Sequence, residues 1–251
     1  MNISFNDKIV VVTGAASGLG RATAIEFARQ GASLSLQDVN EKGLLETKAS
    51  VEALGAACFS KVVDVSRKAN CQAAIDTTVE HFGRLDVLCN VAGIVGFYHV
   101  TDITEAEWER TLGINLNGPF YLSQAAIPHL LQTAGNIVNV ASVSGLRGAA
   151  HLVPYASSKA ALVNMTRSMA LEFMHKPIRI NAIAPGAMDT TMGQGTAIPD
   201  GIDMSLVQRF FNMRAPSNPE EVARFIVYVA SDQTPSIHGA CLSVDTGVAA
   251  D

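Results

Sequence analysis

Short runs of β-branched and apolar residues recur along the chain, separated by longer stretches whose apolar positions return every three to four residues. The runs are Ile9–Thr13, Ser33–Gln37, Cys58–Val63, Val87–Asn90, Asn136–Val140, Ile178–Ile183 and Leu242–Val244. The helical period falls near 18–30, 40–54, 68–82, 104–131, 155–175 and 219–231. Strand and helix alternating in this way predict a parallel sheet with helices on both faces. The strands read as continuous apolar runs, as strands covered on both sides should. The expected fold is α/β: a single doubly wound parallel sheet of about seven strands, of Rossmann type. No repeat, low-complexity tract or Pro/Ser-rich linker divides it, so one domain over 1–251 is expected.

The stretch 187–214 breaks the rhythm. It holds Gly193, Gly195, Gly201, Pro199 and the methionines Met188, Met192, Met204 and Met213, and it ends with the apolar pair Phe210 and Phe211. It is too long for an ordinary connection, and insertions of this kind are often lids over a site. A static helical subdomain is the other reading, and both stay open.

Composition narrows the partners. With 48% hydrophobic and 16% charged residues over 251 positions, the chain can bury its own core without a disulfide or a structural metal. A formal net charge of -5 argues against a duplex nucleic-acid binder, which needs a basic footprint. It leaves room for a small anionic ligand held by backbone amides. Cys58, Cys71, Cys89 and Cys241 form no CxxC pair, and the six histidines show no metal-ligand spacing, so free thiols and no metal are expected. Met1 to Lys8 is polar, and no apolar run approaches the roughly 20 residues of a membrane span. A soluble, cytoplasmic protein with no membrane partner is the expectation.

Ile9–Thr13 runs directly into Gly14-Ala15-Ala16-Ser17-Gly18-Leu19-Gly20, where a helix starts. A strand, a tight glycine turn and a helix start form an anion site, because glycine admits a pyrophosphate close to the backbone and the free N–H groups favour negative charge. Structural turns explain most lone glycine clusters; this one follows the first strand of a sheet. Asp38 ends the second strand about twenty residues on, where a carboxylate accepts from both hydroxyls of an adenosine ribose. It also repels a 2′-phosphate, and no Arg or Lys stands at 15–17 or 39 to receive one, so NAD rather than NADP is expected. The alternative is that Asp38 only caps the next helix.

Pro154-Tyr155-Ala156-Ser157-Ser158-Lys159 opens a helix, and Tyr155 and Lys159 at i and i+4 share one face. Tyrosine ionises near 10, too high for a good base near neutrality, and a fixed ammonium stabilises the phenolate. Such a pair alone is common on ordinary helices. Ser142, just past the fifth strand, changes this: carboxyl ends of parallel strands border the ligand crevice, which places a hydroxyl beside Tyr155. Ser144 is a weaker substitute.

With these residues in view, the chain resembles the short-chain dehydrogenases/reductases over essentially its whole length. The resemblance rests on Thr13-Gly14-x3-Gly18-x-Gly20, Asp64-Val65, Asn90-x-Ala92-Gly93, Asn115, Ser142, Tyr155-x3-Lys159, and Asn181-x3-Pro185-Gly186 with Thr190. It implies that Asp64 and Val65 contact the adenine and that Asn90 to Gly93 line the cofactor cleft. It implies that Asn115 holds a water linking Lys159 to solvent, and that Lys159 also binds the nicotinamide ribose. Pro185, Gly186 and Thr190 are expected to face the nicotinamide, with Ser17, Leu19, Val39 and Met188 as further cofactor contacts. A homotetramer is implied. Val91, Ala141 and Asp245-Thr246-Gly247 depart from the family's usual residues and remove no group that does chemistry.

Other classes fit less well. A serine hydrolase needs Gly-x-Ser-x-Gly, and neither Ser142 nor Ser144 has a glycine two positions before it. A dinucleotide sensor without turnover has no use for Ser142, Tyr155, Lys159 and Asn115 together. A lyase of the halohydrin-dehalogenase kind would replace the glycine loop and Asp38. The expected reaction is therefore hydride transfer between a secondary alcohol and a ketone, with Tyr155 as general acid/base. Ile94, Val95, Phe97, Val143, Leu146, Leu152, Met192, Phe210 and Phe211 are candidate pocket walls, and they suggest a hydrophobic or cyclic substrate such as a hydroxysteroid or alicyclic diol. A small acyclic hydroxyketone or a sugar is the alternative. His151, four residues before Tyr155, is either a substrate contact or a surface loop residue, and Trp108 is expected to pack within a helix.

Overall fold

In the computed structural model, residues 3–190, 192, 198–209 and 214–250 are described. Seven strands form one sheet: β1 (Ile9–Thr13), β2 (Ser33–Asp38), β3 (Cys58–Val62), β4 (Val87–Asn90), β5 (Asn136–Val140), β6 (Arg179–Pro185) and β7 (Cys241–Val244). All pairings are parallel, in the order β3-β2-β1-β4-β5-β6-β7. Every residue of β1, β4 and β5 is buried, as the apolar runs require of central strands covered on both faces. The chain steps outward from β1 through β2 to β3, then returns to lay β4 on the other side of β1. Between β1 and β4 the connections diverge to opposite faces, which opens a crevice at the strands' carboxyl ends.

Parallel neighbours need crossovers, and these are helical. α1 (Gly18–Arg29), α2 (Glu41–Glu52) and α8 (Pro219–Ala230) cover one face, where Phe27, Leu34, Leu36, Leu44 and Ile226 are buried together. α3 (Lys68–Phe82), α5 (Gly118–Leu130) and α6 (Val153–Glu172) cover the other, around Val11, Ile75, Leu88, Leu122 and Ile137. No described helix is long and apolar enough to cross a membrane.

The structure differs from the sequence pattern in two places that bear on the site. The expected single helix 104–131 is instead α4 (Glu105–Leu112), one wide π turn over Gly113–Asn117, and then α5. Thr104 and Glu107 cap α4 reciprocally. Gly118 and Pro119 then begin α5 where a side chain on residue 118 would meet Val65 at 3.0 Å. α6 starts at Val153, two residues before the expected start, with Pro154 inside its first turn. Within the 187–214 stretch the described residues include one short helix, α7 (Met204–Gln208).

After β7 the chain turns through Thr246 at φ 54°, a left-handed conformation that β-branched residues rarely adopt, and its hydroxyl is buried without a partner. Thr246→Gly should therefore raise stability by about 1 kcal/mol, the relieved strain exceeding the added chain entropy. A lower urea midpoint for this variant would show that the turn is unstrained.

Candidate active site

The crevice is built from the ends of six strands, β1 to β6. At the first, Gly14 sits at φ +67° and a Cβ there would lie 2.9 Å from Ala92 Cα, so only glycine lets the β1 and β4 loops meet. A Cβ on Gly20 would press into the Gly14 carbonyl. The Thr13 hydroxyl joins the same two loops by accepting from Val91 N–H at 2.9 Å and Ala92 N–H at 3.0 Å. Ser17 precedes α1 in an extended conformation and makes no side-chain cap, so the first-turn amides face the crevice unclaimed by it. That is a cradle for an anion.

Asp38 stands at the mouth of this loop. One carboxylate oxygen accepts from Ala16 N–H at 3.1 Å and the other from Asn40 N–H at 2.9 Å. The cap of α2 is Asn40, which accepts from Gly43 N–H, and not Asp38. Arg21, a nearby cation, is committed to the Ala16 carbonyl at 2.6 Å, the Thr47 hydroxyl at 2.9 Å and Glu46 at 2.8 Å. Val39 is exposed, and Leu19 is buried under the loop. Asp64 accepts from the Ser66 hydroxyl and amide, which hold its carboxyl below the ordinary carboxylate value, and Val65 is buried against Gly118.

Asn90 behaves differently from its neighbours. Its side chain turns into the core, donating to Asn139 Oδ1 at 2.8 Å, and Asn139 donates onward to Thr166 on α6 at 2.9 Å. The peptide backbone of 91–93 rather than this amide borders the crevice. Asn115 is likewise engaged with the protein. Its Oδ1 accepts from Ile94 N–H at 2.9 Å, and its Nδ2 donates to the Ile94 carbonyl at 2.9 Å and to Ser158 Oγ at 3.1 Å. The π turn presents Asn115 to Ile94, and Ser158 returns the link to α6 by donating to the Tyr155 carbonyl at 2.7 Å. Ser158 was not singled out by the motif; a hydroxyl one residue before Lys159 is visible in the sequence, but its partner on another helix is not.

Ser142 leaves β5 extended, and its Oγ accepts from Ser144 N–H at 3.1 Å, starting a 3-10 turn over Val143–Gly145. A Cβ on Gly145 would lie 2.6 Å from the Lys159 backbone, so glycine is what lets this turn pack on α6. Ser142 and Tyr155 interact through their hydroxyls. Lys159 is buried; its Nζ donates to the Val140 carbonyl at 2.7 Å and lies 5.8 Å from the Tyr155 ring centre. A Cβ on Gly93 would lie 3.4 Å from that Nζ, so the ammonium faces the glycine of the β4 loop.

The electrostatics differ from the sequence expectation. Burial pushes the Tyr155 phenol above its ordinary value, and the Ser142 hydroxyl pulls it only partly back. Burial also lowers the Lys159 ammonium to about 8. Lys159 is not among the groups that set the Tyr155 value: its ammonium points at a carbonyl, and burial opposes charge on both side chains.

At the far side, Pro185 ends β6, Gly186 N–H donates to Val244, and Met188 bridges to Ser217. The Thr190 side chain lies 3.5 Å from where a Gly18 Cβ would be, which closes the crevice over the glycine loop. Val143 and Leu152 are buried beside Ser142 and Tyr155, Val95 and His151 are half-buried, and the exposed Met192 brings its Cε to 4.0 Å from the Gly93 Cβ position. Phe210 and Phe211 lie outside the described residues. Trp108 is partly exposed on α4 rather than enclosed.

A family model described as "Enoyl-(Acyl carrier protein) reductase" matches residues 14–249. Levodione reductase of Leifsonia aquatica is 36% identical over 98% of this chain and 96% of its own length. Meso-2,3-butanediol dehydrogenase of Serratia marcescens is 37% identical over 98% and 96%. The crystal structure of levodione reductase superposes with a TM-score of 0.89 at 35% identity, covering 98% of this chain and 99% of that one. Carveol dehydrogenase from Mycobacterium avium, in complex with NAD, superposes with a TM-score of 0.89 at 25% identity over 99% and 100%. The chain belongs to the short-chain dehydrogenases/reductases and is an oxidoreductase of that family.

Burial of Lys159 makes a stability prediction. Its folded value, about 8, lies below the ordinary 10.5, so the unfolded chain binds more protons between the two. Without cofactor, the wild-type protein should gain stability relative to Lys159→Met as pH rises through that window. Urea midpoints that stay in constant ratio from neutral pH upward would show that the ammonium is not desolvated.

Proposed function

We propose that the protein is an NAD-dependent oxidoreductase that interconverts a secondary alcohol and its ketone, with Tyr155 as general acid/base. The observation that carries this reading is the meeting of Ser142, Tyr155 and Lys159 at the carboxyl ends of β4 and β5, with the ammonium facing Gly93. Three groups from two segments, the turn after β5 and the start of α6, share one small volume beside an anion cradle. A sensor without turnover would not need them.

The residues present fit a dinucleotide. Gly14 and Gly18 hold left-handed backbone that keeps the loop tight and free of side chains, and Gly14, Ser17, Gly18, Leu19 and Gly20 would hold the pyrophosphate. Asp38 and Val39 would receive the adenosine ribose, and Asp64 and Val65 the adenine. Asn90, Ala92 and Gly93 would form the cleft wall, with Asn90 acting through the backbone that its side chain anchors. Pro185, Gly186, Met188 and Thr190 would face the nicotinamide, and Tyr155 and Lys159 its ribose. The Asp38 carboxylate and the full commitment of Arg21 to Ala16, Thr47 and Glu46 favour NAD over NADP. Among relatives, a structure in complex with NAD supports the same choice. When bound, the nicotinamide supplies the hydride acceptor or donor.

The chain's own residues manage the proton and the oxygen. In oxidation Tyr155 Oη takes the hydroxyl proton as the C–H bond breaks, and in reduction it returns a proton to the carbonyl oxygen. Ser142 donates to the same oxygen as charge develops on it. Lys159 favours the ionised phenol when both are assembled around ligand, and Asn115 fixes the Ile94 loop and Ser158 beneath them. The buried Val143 and Leu152, with Val95, give the substrate side an apolar wall, which favours a hydrophobic or cyclic alcohol, the hydroxysteroid or alicyclic diol type. The 37% identity to a butanediol dehydrogenase supports the second reading, a small acyclic hydroxyketone. The 187–214 segment would cover the pocket. A homotetramer is part of this reading, and Phe120 and Leu171 are exposed apolar residues available to its interfaces.

Tyr155→Phe should lower turnover by about 10²–10⁴-fold while NAD still quenches protein fluorescence. Full turnover in that variant would end the assignment. Because the phenol must be ionised to accept a proton and burial raises it, kcat/KM for alcohol oxidation should climb toward alkaline pH, while ketone reduction should not. Replacing Asp38 with Ala and Val39 with Arg should move the NAD/NADP ratio of kcat/KM toward NADP. An unmoved ratio would remove the ribose role of Asp38. A panel of secondary alcohols read by NADH absorbance would decide between the two substrate classes.

A further inference from the structure

Three loops meet above the reactive groups, and two histidines join them. Tyr98 N–H donates to the His151 carbonyl at 2.9 Å, and His151 Nδ1 reaches back to the Tyr98 carbonyl at 3.3 Å, so the loop after β4 and the loop before α6 are bridged twice. A carbonyl only accepts, so Nδ1 carries the proton. The His151 and His99 rings stack edge to face at 5.4 Å. His99 Nε2 then donates to the Asp200 carbonyl at 2.8 Å, more than a hundred residues away along the chain. Gly201, at φ +78°, makes the turn that presents this carbonyl, and a Cβ there would lie 4.0 Å from His99 Nε2. Next to it, Asp203 caps α7 through Ser205 and feels the His151 ring electrostatically. Arg147, between Ser142 and Tyr155 in sequence, donates to the Arg209 carbonyl at 2.6 Å at the other end of α7. The segment is thus pinned at both ends by side chains of the two loops that flank Tyr155.

The conformation of His151 is the unexpected part. It sits at φ +63°, in the left-handed region that non-glycine residues seldom occupy, immediately before the buried Leu152 that starts the reactive helix. Local strain of this kind persists only where surrounding contacts over-determine it. The double bridge to Tyr98 and the ring stack supply those contacts. Burial in the core does not, since the ring is only half-buried.

We infer that His99 and His151 are positioning residues for substrate, which hold residues 198–209 against the rim of the site by joining the Asp200 carbonyl to the Tyr98 loop. This rests on the alcohol–ketone reading of the site. The pair acts through the segment and not on the reacting atoms, so substrate capture depends on it while the proton-transfer groups do not.

The test uses the full-length protein with NAD and two readouts. His99→Phe keeps the ring stack and removes the donor to Asp200; His99→Gln restores a donor. His99→Phe should speed trypsin cleavage after Arg209, whose carbonyl is held by Arg147, as followed by intact mass. The KM for the alcohol chosen from the panel should rise about five- to tenfold, with kcat and the KM for NAD changed by less than about twofold. His99→Gln should return both readouts toward wild type. Wild-type cleavage and KM in His99→Phe would overturn the inference. So would an equal loss of kcat and of NAD binding, because that marks a general structural role. If wild-type protein oxidises no alcohol, the functional reading fails and the cleavage rates still decide the tether. Should His99→Phe not fold, His151→Gly, which suits the left-handed backbone and deletes the stack, must show the same faster cleavage for the inference to stand.

Discussion

Burying an ammonium costs several kcal/mol unless the protein surrounds it with oxygen. Around Lys159 the chain supplies one carbonyl, Val140, from the end of β5, and two glycines, Gly93 and Gly145, where any side chain would crowd the lysine or its backbone. The rest of the site follows from that choice. Ser142 must leave β5 extended so that the 3-10 turn can drop Gly145 onto α6. The loop after β4 must come in close, which the Thr13 hydroxyl and the Asn115 amide arrange from opposite sides. A cation held this way is available to an anionic partner and poorly satisfied without one, a state suited to a group whose work begins when ligand arrives.

Most of the architecture could be read from residue pattern. Buried parallel strands have to be apolar throughout, so Ile9–Thr13 and Asn136–Val140 announce themselves, and the crossovers between them have to be helical. Glycines at 14, 18 and 20, Asp38, and the Tyr155/Lys159 spacing were legible because each is a local consequence of backbone geometry or of helical pitch. The family resemblance extended that reading over the full length, and the match over residues 14–249 agrees with it.

What the sequence hid is long-range partnership. Nothing in the sequence around Asn90 says that its amide turns toward Asn139, because the pairing depends on strand register across β4 and β5. The wide turn at Gly113–Asn117 is invisible to a period of 3.6, since the flanking segments keep that period on either side. The link from His99 to Asp200 joins the loop after β4 to the segment after β6, and the sequence places no signal at either residue. The direction of the Tyr155 shift was also not readable, because i and i+4 spacing fixes which face the ammonium occupies and not which oxygen it chooses.

The π turn carries one further consequence. Each residue of an α-helix advances the face by about 100°, so a five-residue turn displaces everything after it by roughly a quarter rotation relative to regular winding. α5 therefore presents to α3 and the sheet a stripe out of phase with that of α4, and a single insertion or deletion anywhere between Leu112 and Gly118 would re-aim the entire second half of this arm. The site and the packing of α5 are geared together at that point, so drift in one would be registered in the other.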